Sequence, residues 1–185
     1  MPSAYMDSLI HPIRLQILWA VAGRDLTPQQ IGTLLPDISQ ATLYRHLQKL
    51  VQIGVLEVVR ETPIRGTVEK VYHLVEHKAN ISRDEFANAN REDHIRYLST
   101  FITSMIPLYR AYVMSEMPET IAQDVSYRSG SFFADEEQRI VFREKFQQLM
   151  LETSRLPKTE NQRRIFFSYL LFPESSFLSK KSGLW

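Results

Sequence analysis

The stretch Ser39-Gln40-Ala41-Thr42-Leu43-Tyr44-Arg45-His46-Leu47-Gln48-Lys49-Leu50-Val51-Gln52-Ile53-Gly54-Val55-Leu56-Glu57-Val58 decides the fold of the N-terminal half. Ser39 is a good helix N-cap, because its hydroxyl can accept from a backbone N–H that has no helical partner. Leu43, Leu47 and Leu50 then recur at i, i+4 and i+7 and define a buried stripe, with Val51 and Ile53 at its margins. Gln40, Thr42, Tyr44, Arg45, Gln48, Lys49 and Gln52 cover the rest of the helix. Gly54 suits the residue after a helix end, where the backbone turns left-handed. Residues 55–61 are β-branched and strand-like.

Working outward, Leu26-Thr27-Pro28-Gln29-Gln30 is a helix start. Thr27 caps, Pro28 suits the first helical position and Gln30 closes a capping box. That short helix runs to about Leu35, and Pro36-Asp37-Ile38 forces a turn. Upstream, Leu9, Ile10, Ile13, Ile17, Leu18 and Val21 keep helical spacing over residues 3–22, with Pro12 marking the start of the regular helix and Gly23 its end. Downstream, a Pro63-Ile64-Arg65-Gly66 turn precedes the alternating run 68–74, so a β-hairpin follows the helix. Helix, helix, turn, helix, hairpin is the order of a helix-turn-helix with a wing. In that arrangement the second helix enters the major groove with its polar face towards base edges. The wing tip, Arg65, Gly66 and Thr67, reaches an adjacent phosphate or the minor groove.

The run 39–58 resembles the recognition helix and first wing strand of ArsR-like winged-helix repressors. His11-Pro12-Ile13-Arg14-Leu15-Gln16-Ile17-Leu18 is similar to the opening helix of that family, and Thr42-Leu43-Tyr44 is also similar to a segment of the PadR family. The resemblance spans roughly residues 5–78 and implies a dimeric regulator that binds double-stranded DNA. Two departures matter. Tyr44 stands where ArsR-like proteins usually carry a small hydroxyl residue, which changes the bases read. The chain has no cysteine, so the cysteine metal motif of the family's arsenic and cadmium sensors is absent. Metal sensing is not carried over.

Charge bounds the partner. The formal net charge is +1, which excludes a polyelectrolyte tail as the means of binding nucleic acid. Residues 1–80 hold eight Lys or Arg against seven Asp or Glu. The positives nevertheless gather at Arg45, Lys49, Arg65 and Lys70, with His46 nearby, and phosphate attraction supplies non-specific affinity. The DNA-contact set is therefore Gln40, Thr42, Tyr44, Arg45, His46, Gln48, Lys49, Arg65 and Thr67.

Beyond a polar connector, Ser82-Arg83-Asp84-Glu85 reads as a capping box opening a helix to about Glu116. Ile95, Leu98, Ile102, Met105, Tyr109 and Tyr112 alternate by three and four, a seam suited to dimerisation. Phe101 and Leu108 form a second row, so packing on the chain's own C-terminal region is the competing use. Pro107 predicts a kink or one lost bond. Residues 119–124 are a short polar helix or loop. Residues 126–133 and 164–172 read as strands flanking a helix from Asp135 to Leu156, which predicts a strand–helix–strand unit with a parallel pair. Eight of the ten phenylalanines lie between 132 and 177. They make either a small aromatic core or the wall of a pocket for a small apolar effector.

The expected fold class is therefore mainly α with small β parts (α+β). Its expected domains are a winged helix-turn-helix over 1–78, a long linker and dimerisation helix over 82–117, a small α/β domain over 118–175 and a tail over 176–185. No phosphate-binding glycine loop, HExxH or GxSxG is present, and the five histidines are scattered, so no enzyme, catalytic residue, metal or cofactor is expected. The N-terminus lacks a basic stretch followed by an apolar one, and the longest apolar run, 165–172, is far short of the roughly 20 residues that span a bilayer. The expected protein is cytoplasmic, with no membrane partner. It is a homodimeric repressor on a palindromic operator; the alternative is a winged helix used for protein assembly without specific DNA.

Overall fold

A computed structural model of the chain describes residues 4–64, 67–79, 83–127, 129–154, 156, 159 and 162–174. The chain forms two compact units, Met1–Tyr127 and Arg128–Trp185. The first contains α1 (Ala4–Leu9), α2 (Pro12–Val21), α3 (Pro28–Leu34), α4 (Gln40–Gln52), β1 (Leu56–Ile64), β2 (Thr67–Leu74), α5 (Glu76–Ala79), α6 (Arg83–Ala87), α7 (Arg91–Ser115) and α8 (Pro118–Asp124). The second contains α9 (Glu136–Ser154). The fold class is mainly α with one small antiparallel sheet, as the sequence predicts. Among the described residues, no helix is long and apolar enough to cross a membrane.

The helix ends follow their capping chemistry. The regular helix starts at Pro12 as expected, and the apolar spacing before it belongs to a separate helix, α1, because His11 is extended (φ −137°) and Pro12 supplies no N–H to continue the preceding turn. His11 instead caps α2, its Nδ1 accepting from the Ile13 amide at 3.2 Å. At α3 the capping box is complete: the Thr27 amide donates to Gln30 Oε1 at 2.8 Å, and the Gln30 amide donates to Thr27 Oγ1 at 3.2 Å. Ser39 caps α4 by accepting from the Thr42 amide. Gly54 closes it at φ 73°, the left-handed region that costs a side-chain-bearing residue about 1–2 kcal/mol.

The core of the first unit lies where α2, α3 and α4 meet the base of the hairpin. Ile17, Val21, Ile31, Leu43, Leu47, Leu50, Val55 and Leu56 are essentially inaccessible. Strands β1 and β2 pair from Leu56–Leu74 to Ile64–Thr67, with a bulge at Val59 between the Val58 and Arg60 pairings. Pro63, expected in the turn, is in β1 opposite Val68. An edge strand tolerates the missing N–H. Leu26 ties the hairpin to the helices, exchanging backbone bonds with Tyr72 at 3.1 and 2.9 Å.

The expected continuous helix from Ser82 to Glu116 is interrupted. Asn90 is extended and accepts from the Asp93 amide at 2.8 Å, capping α7 afresh after α6 ends. Helix α7 runs through Pro107 and lays Tyr97, Phe101 and Ser104 towards the interior, with Trp19 of α2 edge-on to Phe101 at 5.9 Å.

The expected strands at 126–133 and 164–172 do not form among the described residues, where β1–β2 of the first unit is the only ladder. A two-stranded ladder is marginal unless it packs against helices, as β1–β2 does on α2, α3 and α4. The aromatic rings instead collect along α9: Phe132 lies 4.9 Å from Phe142, and Tyr169 lies 4.3 Å from Phe146. Phe132, Phe142, Phe167 and Tyr169 remain exposed, so the rings do not make a closed core.

Two substitutions separate the packing from the turn geometry. Leu47→Ala should lower unfolding free energy by about 2–5 kcal/mol in urea denaturation, the range for truncating a fully buried leucine. Gly54→Ala should cost only about 1–2 kcal/mol, all of it backbone strain, since a Cβ there meets nothing within 4 Å.

Candidate nucleic-acid interface

Helix α4 carries the site, and its buried stripe fixes which side chains face out. With Leu43, Leu47 and Leu50 inward, a rotation of 100° per residue puts Ala41, Arg45, Gln48 and Gln52 on the opposite face, flanked by Tyr44 and Lys49. Arg45, Gln48 and Gln52 are exposed, and Tyr44 is 49% exposed despite its ring. Gln40 is exposed at the first turn. Thr42 is half-buried, and its hydroxyl accepts from Ser39 Oγ at 3.0 Å as part of the cap.

His46, expected among the DNA contacts, is a correction. It is only 8% exposed and lies on the inner shoulder of α4, next to the leucine stripe. Its ring sits 4.6 Å from that of His11 on α2. Burial, then the neighbouring His11, Arg14 and Arg45, push its pKa down to about 4. His11 is shifted in the same direction by burial, Arg14 and Arg45. For both rings burial is the larger cause of the shift, and the positive neighbours add to it.

Arg14 was not singled out as a DNA contact, yet α2 brings it to the edge of this face. Arg14, Arg45, His46, Gln48, Lys49 and Gln52 line one open groove of about 520 Å³. Nothing in the periodicity of α2 marks Arg14, because its role depends on where α1 and α4 come to rest. Its guanidinium donates to the backbone carbonyls of Ser8 and Asp7. The Asp7 carboxylate in turn accepts from Arg96 Nη2 at 2.7 Å and Tyr97 Oη at 2.9 Å, both on α7. The Arg96 hydrogen bond holds the Asp7 carboxyl below the usual carboxylate range.

On the hairpin, Arg60 is exposed and Lys70 pairs with Glu61 across the strands at 3.3 Å, both side chains half in solvent. Thr67 opens β2 opposite Ile64. Arg65 lies outside the described residues. Among the described residues no group of three His, Asp or Glu side chains converges at metal-binding spacing.

The seam residues of α7 divide by exposure. Ile95, Ile102 and Tyr109 are exposed, whereas Leu98, Met105 and Tyr112 are half-buried. Tyr109 meets the Tyr127 hydroxyl, and Tyr112 donates to Asp124 at 3.2 Å, so the last turns are engaged within the unit. Ile106, not in the predicted seam, is 57% exposed and extends the Ile95–Ile102 row by the i+4 step.

Residues 9–59 match the family model of the helix-turn-helix domain. The matched span takes in α2, α3, α4 and the first part of β1. The helix-turn-helix assignment thus rests on the same elements that build the cationic face, while α7 and the second unit fall outside it. A comparison with curated proteins found no match.

The His46 geometry predicts a pH dependence of stability. The unfolded histidine binds its proton near 6.5 and the folded one only near 4, so stability is greatest above 6.5 and falls as the pH drops towards 4. The loss should be on the order of 3 kcal/mol at about 1.4 kcal/mol per pKa unit. Urea unfolding at a series of pH values should show this slope in the wild type and a flatter one in His46→Gln.

Proposed function

We propose that the chain is a transcriptional regulator that binds double-stranded DNA through α4 in the major groove, with the β1–β2 hairpin at its flank. The observation that carries this is the outer face of α4. Arg45, Gln48 and Gln52 project from a helix whose opposite side is locked into the core, so they reach out on a rigid support. Arginine and glutamine have the donor and acceptor geometry that reads guanine and adenine edges in the major groove. Arg45, Lys49 and Arg14 supply phosphate attraction, and Arg60 and Lys70 extend it along the hairpin; Arg65 joins the proposed contact set by its place in the sequence alone. Tyr44, Gln40, Thr42 and Thr67 complete the proposed contact set.

We further propose a homodimer. One winged helix covers a single half-site, and a two-fold dimer matches a palindromic operator. Ile95, Ile102, Ile106 and Tyr109 are exposed on α7, and with the half-buried Leu98 and Met105 they form an apolar row at coiled-coil spacing. Repression is the simplest output, because a small dimer on its operator blocks polymerase with no further contact surface.

Fluorescence anisotropy against the gene's own upstream region and against random duplex tests the DNA reading. Arg45→Ala with Gln48→Ala should abolish sequence preference, a loss of about 1–3 kcal/mol per bidentate contact, while unfolding is unchanged. Absence of any salt-dependent duplex binding would leave the protein-assembly use of the fold. The dimer reading predicts a light-scattering mass twice the 21.6 kDa of the chain. Ile102→Asp with Ile106→Asp should halve it; an unchanged mass would put the interface elsewhere.

A further inference from the structure

Helix α9 carries two charges that its own spacing leaves without partners. No residue three or four positions from Glu137 or from Lys145 has the opposite charge, so neither finds a helical neighbour to pair with. Both side chains are exposed, and neither forms an ion pair among the described residues. Midway between them, four residues from each, is the exposed Val141. Steps of 100° per residue keep the three within about 80° of one another on the helix surface, and a rise of 1.5 Å per residue sets the charges about 12 Å apart.

These three residues also line an open groove of about 430 Å³ with Phe132, Phe133 and Phe142. Phe132 packs on Phe142 at 4.9 Å, whereas Phe133 is 82% exposed. Leu149, one turn beyond Lys145, is exposed as well. At about 150–250 Å² per ring, these apolar groups leave roughly 500 Å² uncovered, a large share of the about 800 Å² that each partner buries in a standard interface.

We infer that this groove is filled by α9 of a second copy of the chain, lying antiparallel about a two-fold axis that passes at Val141. An isologous contact is self-complementary, so one operator forms both pairs at once: Glu137 meets Lys145 of the second copy, and Lys145 meets its Glu137. Val141 then packs on its own counterpart, and Leu149 covers the 132–134 segment of the other chain. A parallel arrangement would set Glu137 against Glu137 and Lys145 against Lys145. Exposed ion pairs add little affinity, so the apolar cover holds the copies together and the charges fix their direction. The contact belongs to the second unit. It rests neither on the DNA reading of α4 nor on the apolar row of α7.

The chain has no cysteine, so single introduced thiols report the contact directly. A disulfide forms only where two Cα atoms come within about 7 Å, so under mild oxidation of the full chain Val141→Cys should form a covalent dimer about tenfold faster than Arg143→Cys, which lies on the opposite side of α9. Adding Glu137→Lys or Lys145→Glu to Val141→Cys should each slow the cross-link about fivefold, and mixing the two chains should restore it. Only the mixture again places opposite charges face to face. Ile102→Asp with Ile106→Asp should leave the preference for position 141 over 143 intact. An unchanged light-scattering mass in that α7 variant, with the preference kept, would support the α9 contact and overturn the α7 interface. A halved mass with equal cross-linking at positions 141 and 143 would overturn the α9 contact, leave the α7 interface standing and open the groove to a small apolar ligand.

Discussion

Helical geometry ties the burial of Leu43, Leu47 and Leu50 to the exposure of Arg45, Gln48 and Gln52. Each leucine removed from water contributes about 1.5–3 kcal/mol, so rolling α4 about its axis would cost several kcal/mol of apolar burial. No surface interaction of Arg45 or Lys49 is large enough to compete with that. The outer face is therefore rigid for the same reason that the core is dry. The rest of the first unit supports this arrangement: α2 and α3 form the floor, the Thr27–Gln30 box and Ser39 fix where the helices begin, and the Leu26–Tyr72 bridge holds the hairpin beside them.

A second, polar constraint reaches the same face from behind. Arg96 of α7 holds the Asp7 carboxylate, and Arg14 holds the Asp7 and Ser8 carbonyls. These groups are partly solvated, and exposed ion pairs add little stability. Their value is positional. They set where α1 lies, and α1 sets where the Arg14 guanidinium points. In this way α7 is joined through Arg96, Asp7 and Arg14 to the edge of the cationic face.

Much of the first unit was legible because its signals are local. The leucine stripe, the capping box and Gly54 each depend on residues within a few positions, and the structure places them as expected. His46 was misread for a geometric reason: it is polar by type, but one residue before Leu47 and three after Leu43 it falls on the shoulder of the buried stripe. The break between α6 and α7 did leave a mark that was passed over: Asn90 followed by Glu92 and Asp93 is an N-cap with acids in the first turn, and the apolar seam begins only at Ile95. Arg14 could not be found by pattern, because its carbonyl partners and its groove exist only after α1, α2 and α4 have packed. The aromatic runs at 126–133 and 164–172 have strand composition, but composition does not supply a pairing partner. Among the described residues they have none, and their rings gather along α9 instead.

The most direct measurement is a map of backbone amide shifts when a short duplex is added to the wild-type chain. Shifts concentrated at Ala41, Arg45, Gln48, Lys49 and Gln52, with a smaller set at Arg14, Arg60 and Lys70, are the predicted result. Shifts that avoid α4 and fall elsewhere on the first unit, or on α9, would contradict the assignment of the outer face of α4 as the surface that meets DNA.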